Sequence, residues 1–228
     1  MRLLKRLEID GAEVPLVSEE IRLDLDRPGR AIFQVRAEAE LSGRVTFALG
    51  WHFADTLTLF FTGEVERSTA VDATQQRLFC RELSGRLDAQ HPLSLRHPTL
   101  REVLAAYAER TGLRFILPDK PYASKRVPAF YGLGSGYHGM ASIGDVFGIE
   151  DFIWQAQGDG AVFVGSWADS RWPATPVSLP QEFFTRVTSG MQTVTCVPGL
   201  RPGAVLNERR VTSVRLAGHQ MEVACKTP

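Results

Sequence analysis

Over the first 87 residues, short apolar or alternating runs recur at roughly ten-residue spacing, each closed by a turn signal. The runs are 3–9, 21–25, 31–35, 44–49, 57–65 and 76–81, and Asp10-Gly11, Arg27-Pro28-Gly29, Ser42-Gly43 and Gly50 stand between them. Glycine supplies backbone conformations that other residues avoid, and proline removes a ladder donor, so each signal ends an element. A chain divided in this way has no room for long helices and folds as a sandwich or small barrel. The run Leu57-Thr58-Leu59-Phe60-Phe61 is so rich in strand formers that an open edge would invite aggregation. It is expected in the middle of a sheet.

The pattern then changes. Thr99-Leu100-Arg101-Glu102 has the form of a capping box, a threonine to cap and a glutamate three places on to reach back. Leu100, Val103, Leu104 and Tyr107 follow at helical spacing, and Gly112 supplies a left-handed stop. The spacing predicts a helix over 100–111 whose apolar stripe docks on a sheet, at about 1.5–3 kcal/mol per large side chain buried. After a stretch rich in proline and glycine (118–139), Ile143, Val146 and Phe147 form a second, shorter amphipathic face, with Ser142 expected as its cap. Residues 151–157 and 161–165, joined by Gly158-Asp159-Gly160, read as a β-hairpin.

These readings divide the chain into a β-barrel region over 1–87, a small α+β module over 88–168, a proline-rich linker over 169–181 and a second β region over 182–228. The fold class is α+β, mainly β. Four short strands at the C-terminal end cannot enclose a core alone. They are expected to complete the first barrel or to pack on a neighbouring subunit.

Composition narrows the function. Lys plus Arg equals Asp plus Glu at 26 each, whereas nucleic-acid binders draw their affinity from a basic excess. Sequence-specific nucleic-acid binding is not expected. No apolar run is long enough to span a bilayer, and Glu8 and Asp10 interrupt the opening leucines before a signal-peptide core develops. The expectation is a protein made in the cytoplasm, without membrane insertion. Cys80, Cys196 and Cys225 form no C-x-x-C pair and read as small hydrophobes of a core.

No constellation of catalytic groups emerges, and no cofactor or metal is implied. His91 and His97 lie about 20 Å apart along an extended segment, too far to share a metal. The segment Asp24-Leu25-Asp26-Arg27-Pro28-Gly29 has the look of a calcium loop, but its twelfth position is Val35 where a bidentate glutamate is needed. The glycine-rich stretch 132–139 lacks the lysine of a phosphate loop and the frame of a nucleophile elbow. It reads as a flexible loop or assembly arm, with a small-ligand site as the alternative. Trp167 and Trp172 flank the linker, where aromatic side chains anchor domain or subunit contacts.

In order along the chain, Phe61-Thr62-Gly63-Glu64-Val65, Arg81-Glu82-Leu83, the helix opening at Thr99, Thr111-Gly112-Leu113, Phe152-Ile153-Trp154, 159–165, Pro198-Gly199-Leu200-Arg201-Pro202-Gly203 and 210–214 resemble the baseplate hub, or late control, proteins of phage tails, relatives of the base of type VI secretion spikes. The resemblance implies tube-like β-barrel domains with an inserted α+β module. It implies a structural virion protein in the tail, a homotrimer that adapts a sixfold tube to a threefold tip. The implied partners are the tail tube or distal tail protein, the tape measure protein and the central tip or fibre protein. Thr99, Glu102, Gly112, Trp167, Trp172, Arg201, Pro202 and Gly203 are its structural or assembly residues. The competing expectation is a tail-tip cell-wall hydrolase using Glu150, Asp151 or His138, or a carbohydrate-binding module.

Overall fold

The computed structural model describes residues 2–188 and 190–226. Its first part contains strands β1 (Leu3–Ile9), β2 (Ala12–Glu13), β3 (Leu16–Asp24), β4 (Arg30–Arg36), β5 (Arg44–Trp51), β6 (Thr58–Asp72) and β7 (Gln75–Glu82). Alternation puts every second side chain of β3 and β4 inward, so Ile21, Leu23, Ala31, Phe33 and Val35 are buried while Glu20, Arg22 and Arg30 face out. Strand β6 lies between β5 and β7, the central place expected of its apolar run. It continues seven residues past Val65, where the sequence turns polar, because β7 supplies a ladder partner as far as Asp72.

The strands of the C-terminal part are β13 (Phe184–Thr188), β14 (Met191–Thr195), β15 (Val205–Leu206), β16 (Arg209–Ala217) and β17 (Gln220–Lys226). They extend the first sheet. Strand β16 runs antiparallel to β3, with Leu216 opposite Ile21 and Val214 opposite Leu23. Among the described residues one twelve-stranded sheet results, in the order β13-β14-β17-β16-β3-β4-β7-β6-β5-β1-β2, with β15 on β16. Register shifts in β3, β6, β13 and β16 mark bulges, which bend strands and increase twist. The sheet accordingly curls into a half-barrel. Inside it Phe33 lies 5.4 Å from Phe47 and 6.0 Å from Phe61, between ring centroids. Cys80 and Cys196 are buried in this core, where desolvation pushes both thiols up to about 12.

Between the two strand sets, a module with its own core begins at a 3-10 turn, Leu83–Asp88. It holds β8 (Leu93–Arg96), helix α1 (Leu100–Thr111), β9 (Phe115–Ile116), a single helical turn α2 (Pro121–Ser124), β10 (Ala129–Gly132), helix α3 (Gly136–Phe147), and the hairpin β11 (Phe152–Ala156) and β12 (Val162–Ser166). Both halves of the capping box are formed: Thr99 Oγ1 accepts from Glu102 N, and the Glu102 carboxylate accepts from Thr99 N at 2.7 Å. That bond from the Thr99 amide, then one from its hydroxyl, holds the Glu102 carboxyl below its usual range. Gly112 closes the helix at φ 67°.

The stretch 132–139 departs from the flexible loop or arm expected of it. Helix α3 starts at Gly136, with Ser135 as the cap accepting from His138 N, while Ser142 donates to Gly139 O. The glycines are there for packing. Tyr107 of α1 is fully buried against α3, and a Cβ at Gly139 would stand 1.7 Å from its hydroxyl oxygen.

The proline-rich segment after β12 lies against the sheet: Trp172 is buried in the sheet's core cluster and Val177 bridges Leu206.

Candidate functional site

The Arg201-Pro202-Gly203 turn comes between β14 and β15 and runs under the module. Leu200 and Ala204 on either side are buried in the sheet core, which draws Arg201 inward with them. Arg201 is 3% exposed, and its guanidinium meets three parts of the chain. One nitrogen donates to Phe60 O on β6. The other donates to Glu82 Oε1 at the end of β7, at 2.7 Å, and to Ala156 O at the end of β11, at 3.0 Å. Glu82 is equally buried, and its second oxygen accepts from Gly29 N at 2.6 Å. A buried charge costs several kcal/mol unless it is paired and hydrogen-bonded. Here a single ion pair satisfies backbone groups of β6, β11 and the β3–β4 turn at once.

The next two residues carry the contact on. Pro202 O accepts from the side-chain amide of Gln155, and Gln155 Oε1 accepts from Trp172 Nε1 at 2.8 Å. Gly203 O accepts from Trp167 Nε1 at 2.8 Å. Gly203 has φ 90°, and a Cβ there would meet the Trp172 indole nitrogen at 2.7 Å, so only glycine passes beneath that ring. Two indole donors therefore hold the start of the proline-rich segment, and Asn207 holds its far end through Leu179.

Three further contacts tie module to sheet. Arg210 of β16 donates to both oxygens of Asp151, each at 2.8 Å, and lies over the Trp167 ring. Thr62 Oγ1 donates to Gly158 O at 2.7 Å. Asp26, at φ 57° in the β3–β4 turn, accepts from Trp154 N at 3.1 Å. Desolvation against the module pushes the Asp26 carboxyl above its usual range, opposed by that hydrogen bond and by Arg210.

Of the residues singled out from sequence, Arg201, Pro202, Gly203, Trp167 and Trp172 come together at this joint. Thr99, Glu102 and Gly112 serve the two ends of α1. The joint also uses Glu82, Gln155 and Asp151, to which the sequence assigned no such part. Each looks like an ordinary polar residue within or beside a strand. Only Gln155 carries a mark in the sequence, an apolar residue on either flank, Trp154 and Ala156.

The groups considered for chemistry lie apart from one another in role. Asp24 pairs with Arg22 and Asp26 caps the β11 backbone. His91 Nε2 contacts Arg86 O, and His97 N donates to Pro128 O. Asp151 is engaged by Arg210, while Glu150 and His138 face solvent. Among the described residues no three His, Cys, Asp or Glu side chains converge as a metal would require, and no helix is long and apolar enough to cross a membrane.

No family model matches the chain. A protein of Haemophilus phage HP1, known only as an uncharacterized 58.7 kDa protein, is 33% identical over 219 residues, which cover 96% of this chain. The chain spans 41% of the length of that relative. Among solved structures, the 43 kDa tail protein of prophage MuSo2 from Shewanella oneidensis superposes with a TM-score of 0.72 at 10% identity, covering 100% of this chain and 99% of that one. A tail protein from Neisseria meningitidis gives 0.69 at 12% identity, with 99% and 97% covered. A component of the E. coli type VI secretion system, described as structurally similar to bacteriophage tail proteins, gives 0.64 at 12% identity, covering 97% of this chain and 76% of that one. The fold expected from the resemblance to tail hubs is the fold of this chain, mainly β and shared with phage tail proteins.

Proposed function

We propose that this protein is a structural component of a phage-type tail, a hub between the tail tube and the tail tip, and that it works without catalysing a reaction. The observation that carries the reading is the match of the whole chain, sheet and module together, to a phage tail protein of nearly the same extent.

The sheet supports it physically. Its order ends at β13 on one side and β2 on the other, so the curled sheet is open at both ends. Open strand edges invite pairing with another chain, and closed rotational symmetry is the commonest way in which identical chains satisfy such surfaces. Strands β1–β7 and β13–β17 form two sets joined at the β3–β16 pair. Three chains around one axis carry six sets, which suits a sixfold tube above and a threefold tip below. The partners on this reading are the tube or distal tail protein, the tape measure protein and the central tip or fibre protein. The joint at Arg201 then keeps the module at a set place on each sheet, so that the ring presents a defined outer surface.

Mass photometry of the purified protein, with cryo-microscopy of tails, tests the reading. A species at three times the monomer mass and threefold density at the tube's end are expected. A strict monomer that is absent from particles overturns it. Clearing on a peptidoglycan zymogram that is lost in Glu150→Gln overturns the non-enzymatic part.

A further inference from the structure

Beside the buried ion pair lies an open groove of about 590 Å³, within the roughly 300–1,000 Å³ range of ligand clefts. Its lining includes Thr58 and Leu59 at the start of β6, the hairpin turn at Gly158 packed against them, and Ile116 of β9. Leu59 is 42% exposed and Ile116 38%, large apolar side chains facing the same opening. Strand β9 is the outer strand of its three-stranded sheet, so among the described residues one of its backbone edges pairs with no other strand.

The groove's charge is unbalanced. Arg171 stands in its wall with the guanidinium stacked 4.3 Å over the Trp172 ring. Its backbone oxygen accepts from Thr175 Oγ1, while among the described residues the guanidinium itself has no hydrogen bond or ion pair and feels the Asp159 charge only at longer range. Stacking on a buried indole fixes where the charge points. Desolvation, then the neighbouring Arg201, makes that charge costly to hold, so the Arg171 pKa lies below its usual value. The acid that lines the same groove, Asp159, is already held by Arg114 at 2.6 Å and by the Ala161 amide. Glu82, the other acid nearby, is consumed by Arg201.

From this geometry we infer that the groove receives an extended acidic segment of a partner protein, lying along β9, with a carboxylate on Arg171 and aliphatic side chains on Leu59 and Ile116. Charge complementarity selects this occupant. A guanidinium stacked on an indole with no bonded counter-ion gains most from a carboxylate that arrives with apolar neighbours, and an outer strand gains backbone partners from an extended chain. The hub reading suggests where such a segment comes from, a neighbouring tail component, but the binding itself is independent of it.

The full chain, isotope-labelled, is titrated with three capped tripeptides, Leu-Glu-Leu, Leu-Gln-Leu and Leu-Lys-Leu, up to ~5 mM, since contacts this few give millimolar affinity. NMR shifts at the Ile116 and Leu59 methyls and the Trp172 indole are followed. The glutamate peptide is expected to bind about tenfold more tightly than the glutamine peptide, the usual worth of a charge-assisted hydrogen bond. In Arg171→Gln that preference disappears, and in Arg171→Glu it passes to the lysine peptide. No shift at these three residues, equal binding of all three peptides, or an unchanged preference in Arg171→Glu overturns the proposal. Because the readout is binding by isolated protein, a failed trimer or a missing tail density leaves it standing, and a failed titration leaves the hub reading standing.

Discussion

The sheet and the module are built in opposite ways. The module's core draws on residues 83–164, close to one uninterrupted stretch. Its helices meet through near neighbours in sequence, and its caps are complete within four residues. The sheet's core draws on both ends of the chain, with Leu7, Phe33 and Phe61 beside Val194, Val214 and Met221. Its β3–β16 seam joins residues almost two hundred positions apart. Local contacts form with little loop-closure cost, whereas distant strand pairing is rewarded only after that cost is met. The difference explains why the joint between them is polar and buried. It has to hold a locally complete unit against a sheet that exists only once both chain ends have arrived.

The largest test cuts that joint. Glu82→Gln leaves Arg201 buried without its counter-charge and is expected to cost about 3–5 kcal/mol in urea unfolding, the usual result of breaking a buried pair on one side. Arg201→Met should cost a similar amount. The double variant Glu82→Met with Arg201→Met should recover a good part of the loss. If the pair is what makes one cooperative unit, native-state hydrogen exchange in the single variants will show sheet amides opening before module amides. Unchanged cooperativity would mean that the other contacts suffice.

A second test is confined to the module. Gly139→Ala drives a methyl into the Tyr107 hydroxyl and is expected to cost roughly 1–3 kcal/mol. Tyr107→Phe removes the oxygen from that contact and should restore part of the loss. It should be nearly neutral alone, since the Tyr107 hydroxyl has no hydrogen-bond partner among the described residues. Sheet amides should keep their protection in both variants.

Thr99→Ala removes one half of the capping box and should cost ~1 kcal/mol, again in the module. Glu102 adds a pH signature of defined sign. Its carboxyl is held low in the folded state, so its contribution is present above the unfolded carboxylate pKa and is lost as pH falls through the folded value. Thr99→Ala keeps the amide bond and loses the hydroxyl one, so it should flatten that acid limb only in part.

The smallest effect is at Asp26, on the sheet side of the joint. Its carboxyl pKa is raised on folding, so ionisation opposes folding: the penalty is complete above the raised value and vanishes as pH falls below the unfolded one. Asp26→Asn keeps an acceptor for Trp154 N and a side chain that tolerates φ 57°. A slight rise in thermal midpoint at neutral pH, absent in acid, is expected. A fall at both would show that the charge is used through Arg210.

Much of this architecture was legible because its causes are local. Alternation told which faces of β3 and β4 turn inward, the Thr99–Glu102 spacing announced the helix, and Gly112 marked its end. Each of these has cause and effect within a few residues. Residues 132–139 misled because glycines there suggest freedom, whereas these make space for Tyr107, some thirty positions away. Phe60 and Phe61 are consecutive and both buried in one core, against alternation, because the pairing with β5 skips Phe60 at a bulge. By itself, then, the sequence determined most of the strands, the helix over 100–111 and both of that helix's caps. The tertiary structure alone decided that the terminal strands share one sheet and that Arg201, Glu82 and Gln155 are core rather than surface. A polar side chain's role depends on what covers it, and here the cover comes from the far end of the chain.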